Sequence, residues 1–234
     1  MHLFYTPFIE EPFHDLDESE SRHAVKVIRL RKGDGVILVD GKGTWCEACI
    51  VDDNPGKCRL KILSKTENHA PLPYHLHIGI PLLKNMERFE WFLEKATEIG
   101  ISEITPILCT HSERFKLKTD RMERIIISAM KQSQRAFKPI LHPLTPFTNW
   151  IRSPYHGTKA IGFIDEFYQT CLWDVPLKNG LLMAIGPEGD FTSEEVTQAV
   201  KQNFLPVSLG RSRLRSETAG LLTCSVARIR FMKQ

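Results

Sequence analysis

Two periodicities divide the chain. Up to about Ser64, apolar residues alternate with polar ones or form short blocks bounded by turn residues, which predicts strands. GVILVDGKGTWCEACIVDD sets an apolar block before Asp40-Gly41, a hairpin turn signal, with a second strand after it. KCRLKIL puts Cys58, Leu60 and Ile62 on one face and Arg59 and Lys61 on the other. One helix interrupts from about Ser19, where SESRHAVKVIRL carries Ala24, Val27 and Ile28 on one side. These elements predict a small β-barrel over residues 1–68. KTENHAPLP, residues 65–73, is polar and proline-bearing and reads as a linker.

From Tyr74 the period changes. YHLHIGIPLL reads as a strand, and MERFEWFLEKATEIG as an amphipathic helix with Met86, Phe89, Leu93 and Ala96 on one stripe and Gly100 as its stop. ISEITPIL is a strand. DRMERIIISAMKQSQRAF is a helix with Met122, Ile125, Ile126 and Ala129 inward, opened by a capping-box pair, Asp120 and Glu123. Strands follow at about AIGFID, LLMAIG and PVSLG, and helices at SEEVTQAVKQ, with Thr192 and Glu195 as a second capping box, and at ETAGLLTCSVARIRFM. Strand and helix alternate, so residues 74–234 predict an α/β domain with a mainly parallel sheet. In the last helix Ala219, Leu222, Val226 and Ile229 share one stripe, which suits core packing or a dimer interface.

Composition narrows the class. The 234 residues are 42% hydrophobic and 25% charged, enough for a real core and unlike a disordered chain. A net charge of +3 permits RNA binding without demanding it. The six cysteines are scattered. Cys46 and Cys49 have C-x-x-C spacing but lie in an alternating strand, where their side chains face opposite ways. No second C-x-x-C and no paired histidines complete a zinc site, so no metal is expected and the thiols read as reduced, in a cytoplasmic protein. The opening MHLFYTPFIEEPF lacks a signal peptide's apolar core, and no stretch approaches the ~18 apolar residues of a membrane span.

Chemistry concentrates in two turns. LLMAIG ends at Gly186-Pro187-Glu188-Gly189, where two glycines allow close backbone approach and positive φ, and a proline stiffens the turn. The pattern is neither of the common glycine-rich phosphate cradles. A ligand with an aromatic base and a small charged tail fits it better than a triphosphate. Taken alone, the stretch is simply a tight turn. Leu209-Gly210 ends the next strand, and Arg211, Arg213 and Arg215 follow before Ser216 and Glu217 open a helix. Arginines before a helix N-terminus gather positive charge where anions already bind. A solvated loop is the plainer alternative, but Leu214 and the apolar helix tie the segment down.

GPEGDF followed by LGRSRLRSETAGLL resembles the SPOUT methyltransferases, and specifically the ribosomal RNA small subunit methyltransferase E family. The likeness runs through nearly the whole chain. HAVKVIRLRKGD is similar to the family's H-x-x-x-V-x-R-x-x-x-G-D segment, and LLKNMERFEWFLEKATEIGI to its K-x-x-R-x-E-x-x-x-x-K-A-T-E-L-G helix through Lys84, Arg88, Lys95, Glu98 and Gly100. Gln132-Ser133 and Arg135 fall in its E-Q-S-x-R segment. Three positions depart from the pattern: Lys131 replaces that glutamate, Asp190 stands where glycine is common, and Ser212 replaces the first arginine of L-G-x-R-I-L-R.

The resemblance implies a PUA-like β-barrel, then a SPOUT parallel-sheet domain with a C-terminal trefoil knot, working as a homodimer. It implies S-adenosylmethionine as cofactor, 16S rRNA of the small ribosomal subunit as partner, and methylation of N3 of a uridine. Gly186, Glu188, Gly189, Leu209, Gly210 and Leu214 are then expected to line the cofactor pocket, with backbone groups of Ile185 and of the loop after Phe163. Arg215 is the candidate stabiliser of the uridine anion. Glu217 is the weaker candidate for general base, since a glutamate in a helix's first turn is more often a dipole partner. Arg29, Arg31 and Lys32, with Lys84, Arg88, Arg114 and Arg135, are the candidate RNA contacts, each alone equally a solvated charge. Two alternatives stay open, a SPOUT enzyme acting on transfer RNA and an RNA-binding protein without catalysis.

Overall fold

A computed structural model describes residues 1–163 and 170–232. The chain divides into two compact units, Met1–Pro71 with Met130–Lys138, and Leu72–Ala129 with Pro139–Gln234.

The first unit contains β1 (His2–Tyr5), β2 (Phe13–Asp15), α1 (Glu18–Arg22), a π-helical turn over His23–Ile28, β3 (Gly35–Val39), β4 (Trp45–Asp52) and β5 (Arg59–Thr66). They form a mixed five-stranded sheet in the order β1-β3-β4-β5-β2. β3 and β4 are the predicted hairpin, with Val39 opposite Trp45. Its turn is held by Asp40, whose Oδ1 accepts from the Lys42 and Thr44 amides at 2.7 and 3.0 Å. The helix is not the single α-helix expected. It passes into the π turn, and the wider turn rotates the face, so that Ala24 and Val25 are buried while Val27 is 68% exposed.

The second unit contains β6 (Leu76–Pro81), α2 (Met86–Ile99), β7 (Glu103–Leu108), α3 (Thr119–Gln132), β8 (Ile140–Leu141), β9 (Thr145–Pro146), α4 (Phe147–Trp150), β10 (Thr158–Gly162), β11 (Leu181–Ala184), α5 (Ser193–Lys201), β12 (Leu205–Val207) and α6 (Ser216–Met232). The tail of α3, from Met130, groups with the first unit. The sheet runs β12-β10-β11-β6-β7-β8, with β9 also paired to β7, and every pairing is parallel. Its middle strands are buried on both faces, so β6 and β11 read as apolar runs rather than alternations. Part of the predicted AIGFID strand, Ile164 and Asp165, lies outside the described residues.

Local signals account for the helix ends. Asn85 caps α2, and Gly100 ends it at φ 115 with its amide bonded to the Ala96 carbonyl. Thr192 and Glu195 form the predicted capping box of α5. Asp120 differs from expectation: α3 already begins at Thr119, so the carboxylate lies within the first turn and acts on the helix dipole rather than as a cap. Along α6 the buried side runs through Ser216, Ala219, Gly220, Thr223, Val226 and Ala227, whereas Ile229 is 55% exposed.

Candidate active site

The carboxyl ends of β10, β11 and β12 lie side by side, where an open α/β sheet binds its ligands. The segments that leave these strands enclose a cavity of about 630 Å³. Its walls are Gly162 and Phe163 after β10, Ile185 to Glu188 and Asp190 after β11, and Val207, Leu209 to Ser216 and Ala219 from β12 into α6. Ile185, Gly186, Glu188, Leu209, Gly210 and Leu214 therefore stand together in one wall system, with Arg215 among them. The loop after Phe163 lies outside the described residues.

The Gly186–Asp190 turn is fixed from three directions. Ser216, the first residue of α6, donates its hydroxyl to the Gly186 carbonyl at 2.6 Å. The Lys84 amide donates to Glu188 Oε1 at 3.0 Å. His111 Nδ1 lies 2.9 Å from the Asp190 carbonyl. The glycines differ from expectation. Neither Gly186 nor Gly189 has a positive φ; that conformation belongs to Asp190 (φ 63) and Gly210 (φ 111). Gly186 is in a tight space, since an added Cβ would stand 3.1 Å from Asp190 Oδ1 and 3.2 Å from the Phe191 ring and would make those side chains give by a few tenths of an ångström. Gly189 does not line the cavity; it packs on His111, whose Cβ would lie 3.1 Å from an added Cβ. The left-handed backbone at position 190 explains why glycine suits it and why aspartate, which tolerates that conformation, can replace it. Burial raises the Asp190 pKa, opposed by the Phe191 amide on its Oδ1 at 2.8 Å and by the nearby Arg213 and His111.

The arginine segment is exposed at Arg211, Ser212, Arg213 and Arg215, and half-buried at Leu214, which anchors it. Arg213 reaches back across the cavity rim, with Nη2 3.5 Å from the Glu188 carbonyl. Glu217 is arranged differently from a base. It is 6% exposed, lies outside the cavity wall, and holds its Oε1 3.8 Å from Arg88 Nε. A buried carboxylate at a helix N-terminus facing a guanidinium has a structural role already.

The basic candidates divide by setting. In the first unit Arg29, Arg31 and Lys32 are exposed, Arg29 with left-handed backbone at φ 68. Arg135, half-buried, belongs to the same unit. In the second unit Lys84 Nζ sits 3.3 Å from Glu113, Arg114 donates to the Lys84 carbonyl at 2.8 Å, and Arg88 faces Glu217. Lys131, the departure from the family's glutamate, binds both oxygens of Glu20 at 2.5 and 2.8 Å within the first unit. From the segment THSERFKLK sequence reasoning took only Arg114; it missed His111, which the segment supplies to the turn, and Phe115, 66% exposed between Arg114 and Lys116. An aromatic between basic residues was the signal available there.

A parallel sheet whose carboxyl-end loops enclose a small-molecule cavity is the arrangement of an α/β enzyme, and a separate mixed sheet carries a basic turn. Residues 70–228 match the RNA methyltransferase domain, and residues 16–63 the RNA methyltransferase PUA domain. The chain belongs to the ribosomal RNA small subunit methyltransferase E family. The Synechocystis protein of that name is 32% identical over 216 residues, 87% of this chain and 69% of its own length. The fold is shared with a probable rRNA-methyltransferase from Porphyromonas gingivalis, at 38% identity, a TM-score of 0.89 and 96% of each chain. It is also shared with the ribosomal RNA small subunit methyltransferase E from Neisseria gonorrhoeae bound to S-adenosyl methionine, at 27% identity, a TM-score of 0.87, 98% of this chain and 97% of that one.

Proposed function

We propose that this chain methylates N3 of a uridine in the 16S rRNA of the small ribosomal subunit, with S-adenosylmethionine as cofactor. The observation that carries the proposal is one cavity, at the carboxyl ends of three parallel strands, that joins an apolar bed to an arginine rim. Phe163, Ile185, Val207, Leu209, Leu214 and Ala219 provide the apolar surface an adenine ring needs, and Gly186 and Gly210, which carry no side chain, let a ligand approach the main chain of the two turns closely. When bound, the cofactor supplies a methyl group made electrophilic by its sulfonium.

The chain's own residues have three tasks. The two turns hold the reactants at attacking distance. Arg215 places a positive charge at the cavity wall, where negative charge develops on the uracil ring as its N3 proton leaves to solvent. Glu217 is assigned to holding Arg88 and the start of α6, so anion stabilisation replaces a carboxylate base in this scheme. Arg29, Arg31, Lys32 and Arg135 on one unit, and Lys84, Arg88 and Arg114 on the other, are assigned to the RNA backbone, which positions the target without specifying it. A target base in a duplex would have to leave its stack to reach the cavity.

The proposal takes the second unit to carry a C-terminal trefoil knot and the working form to be a cytoplasmic homodimer. Exposed Ile229, Met232 and Trp173 on the second unit are the apolar groups a partner copy would cover. No helix among the described residues is long and apolar enough to cross a membrane.

The test is incubation of undermethylated small subunits with the protein and labelled S-adenosylmethionine, followed by RNA digestion. Appearance of 3-methyluridine supports the proposal. Label in another nucleoside, or in transfer RNA alone, overturns the substrate while leaving the cofactor site standing. Failure to bind the cofactor overturns both.

A further inference from the structure

The amino ends of the same parallel sheet, opposite the end that carries the cavity, gather three imidazoles and a carboxylate that methyl transfer does not use. His75 and His77 flank the start of β6, Glu103 opens β7, and His142 follows β8. Glu103 Oε2 lies 2.5 Å from His142 Nε2 and 3.7 Å from His77 Nδ1. Its other oxygen, Oε1, lies 2.7 Å from His75 Nε2. Donor atoms of His77, Glu103 and His142 all fall within 4.8 Å of one another.

We propose that His77 Nδ1, Glu103 Oε2 and His142 Nε2 bind a divalent transition-metal ion of the zinc class, with the fourth position left to solvent. Donors on a tetrahedral ion with bonds of about 2.0–2.1 Å stand roughly 3.4 Å apart. The observed separations of 2.5 and 3.7 Å bracket that value, and the three donors lie within 4.8 Å of one another, so side-chain shifts of about 1 Å complete the site. Two imidazoles on one such ion place their ring centres about 5 Å apart. The His77 and His142 centroids are 5.2 Å apart.

The surroundings are those of a supported site. His77 Nε2 lies 2.7 Å from Thr105 Oγ1 and 3.4 Å from Trp150 Nε1, two contacts that fix the orientation of the ring and leave Nδ1 facing Glu103. His75, itself 3.2 Å from the Tyr155 hydroxyl, holds the far oxygen of Glu103 and aims the near one. One carboxylate and neutral imidazoles suit a dication. The side chain of His142 is 35% exposed and that of His77 12%, so the site has an approach from solvent and an enclosed wall. Its residues lie far apart in the chain, which is why a search for clustered cysteines and paired histidines led to the expectation of no metal. Parallel strands in register bring them together.

The experiment uses the full chain without an affinity tag, stripped with a chelator and titrated with Zn²⁺ by calorimetry. One ion per chain and a raised melting midpoint are expected, since an ion that binds the folded state stabilises it. His142→Ala and Glu103→Gln should each weaken binding at least tenfold, and His156→Ala should leave it unchanged. Co²⁺ added to the wild-type chain should produce the intense visible absorption of a tetrahedral site, a readout that does not depend on any variant folding. No Zn²⁺ binding, equal binding in all the variants, or the weak spectrum of six-coordinate Co²⁺ overturns the proposal.

Discussion

Glu217→Gln separates a catalytic carboxylate from a structural one. Glu217 is 6% exposed and its Oε1 lies 3.8 Å from Arg88 Nε. At that distance two charges in an effective dielectric near 20 attract by about 4 kcal/mol. The Arg88 side chain is 39% exposed, so solvent screens the pair and about 1 kcal/mol survives. The helix dipole adds about 0.5 kcal/mol for a carboxylate in the first turn of α6. Glutamine keeps the shape and loses both contributions. The expected cost is therefore about 1–2 kcal/mol, a fall of roughly 2–8 °C in melting midpoint for a chain of this size. Combined with Arg88→Gln, a double-mutant cycle should recover about 1 kcal/mol of coupling. Turnover with saturating cofactor should change by less than about fivefold. A general base would behave in the opposite way, with kcat reduced about 10²–10⁴-fold. A hundredfold loss of kcat in Glu217→Gln at an unchanged midpoint would refute the structural assignment and return the carboxylate to the chemistry.

Arg215→Ala should lower turnover by about 10²–10³-fold, the usual cost of losing one donor to a developing anion. Cofactor affinity, read by calorimetry, should stay within a few-fold, because the donor site is built from the turns rather than this side chain. Asp190→Asn should stabilise the chain at neutral pH. Burial raises the folded-state pKa of Asp190 above its unfolded value, so ionisation opposes folding as pH rises through that window. The gain over wild type should be present at pH 7 and vanish below the ordinary aspartate pKa, as measured by melting midpoint against pH. A gain that persists at low pH would point to backbone strain instead. Lys131→Ala removes a partner from two charge-assisted hydrogen bonds on a half-buried pair and should cost about 2 kcal/mol in urea unfolding. Lys131→Glu should cost more, and Glu20→Lys in the same chain should restore most of it.

Signals that act over a few residues are legible in the sequence. Thr192 and Glu195 mark the start of α5 because the cap closes within one turn, and Gly100 marks the end of α2 for the same reason. Asp40-Gly41 marks the hairpin, and the two glycine-bearing turns that now face each other across the cavity stood out as turns. The conformations inside those turns did not. Positive φ fell to Asp190 rather than to Gly186 or Gly189, whose lack of a side chain instead leaves room for Phe191 and His111 beside them. The π turn that exposes Val27 was invisible to a period of 3.6 residues.

Partnership across the chain belonged to the tertiary structure alone. Glu188 receives the Lys84 amide from 104 residues away, Lys131 meets Glu20 across 111, and Met130–Lys138 packs with the first unit although a helix of the second leads into it. His77, Glu103 and His142 converge for the same reason. Residue order determines local hydrogen bonds and the period of apolar burial, because both act between near neighbours. Which distant side chains share a cavity or a charge depends on strand order and register, which only the packed sheet decides.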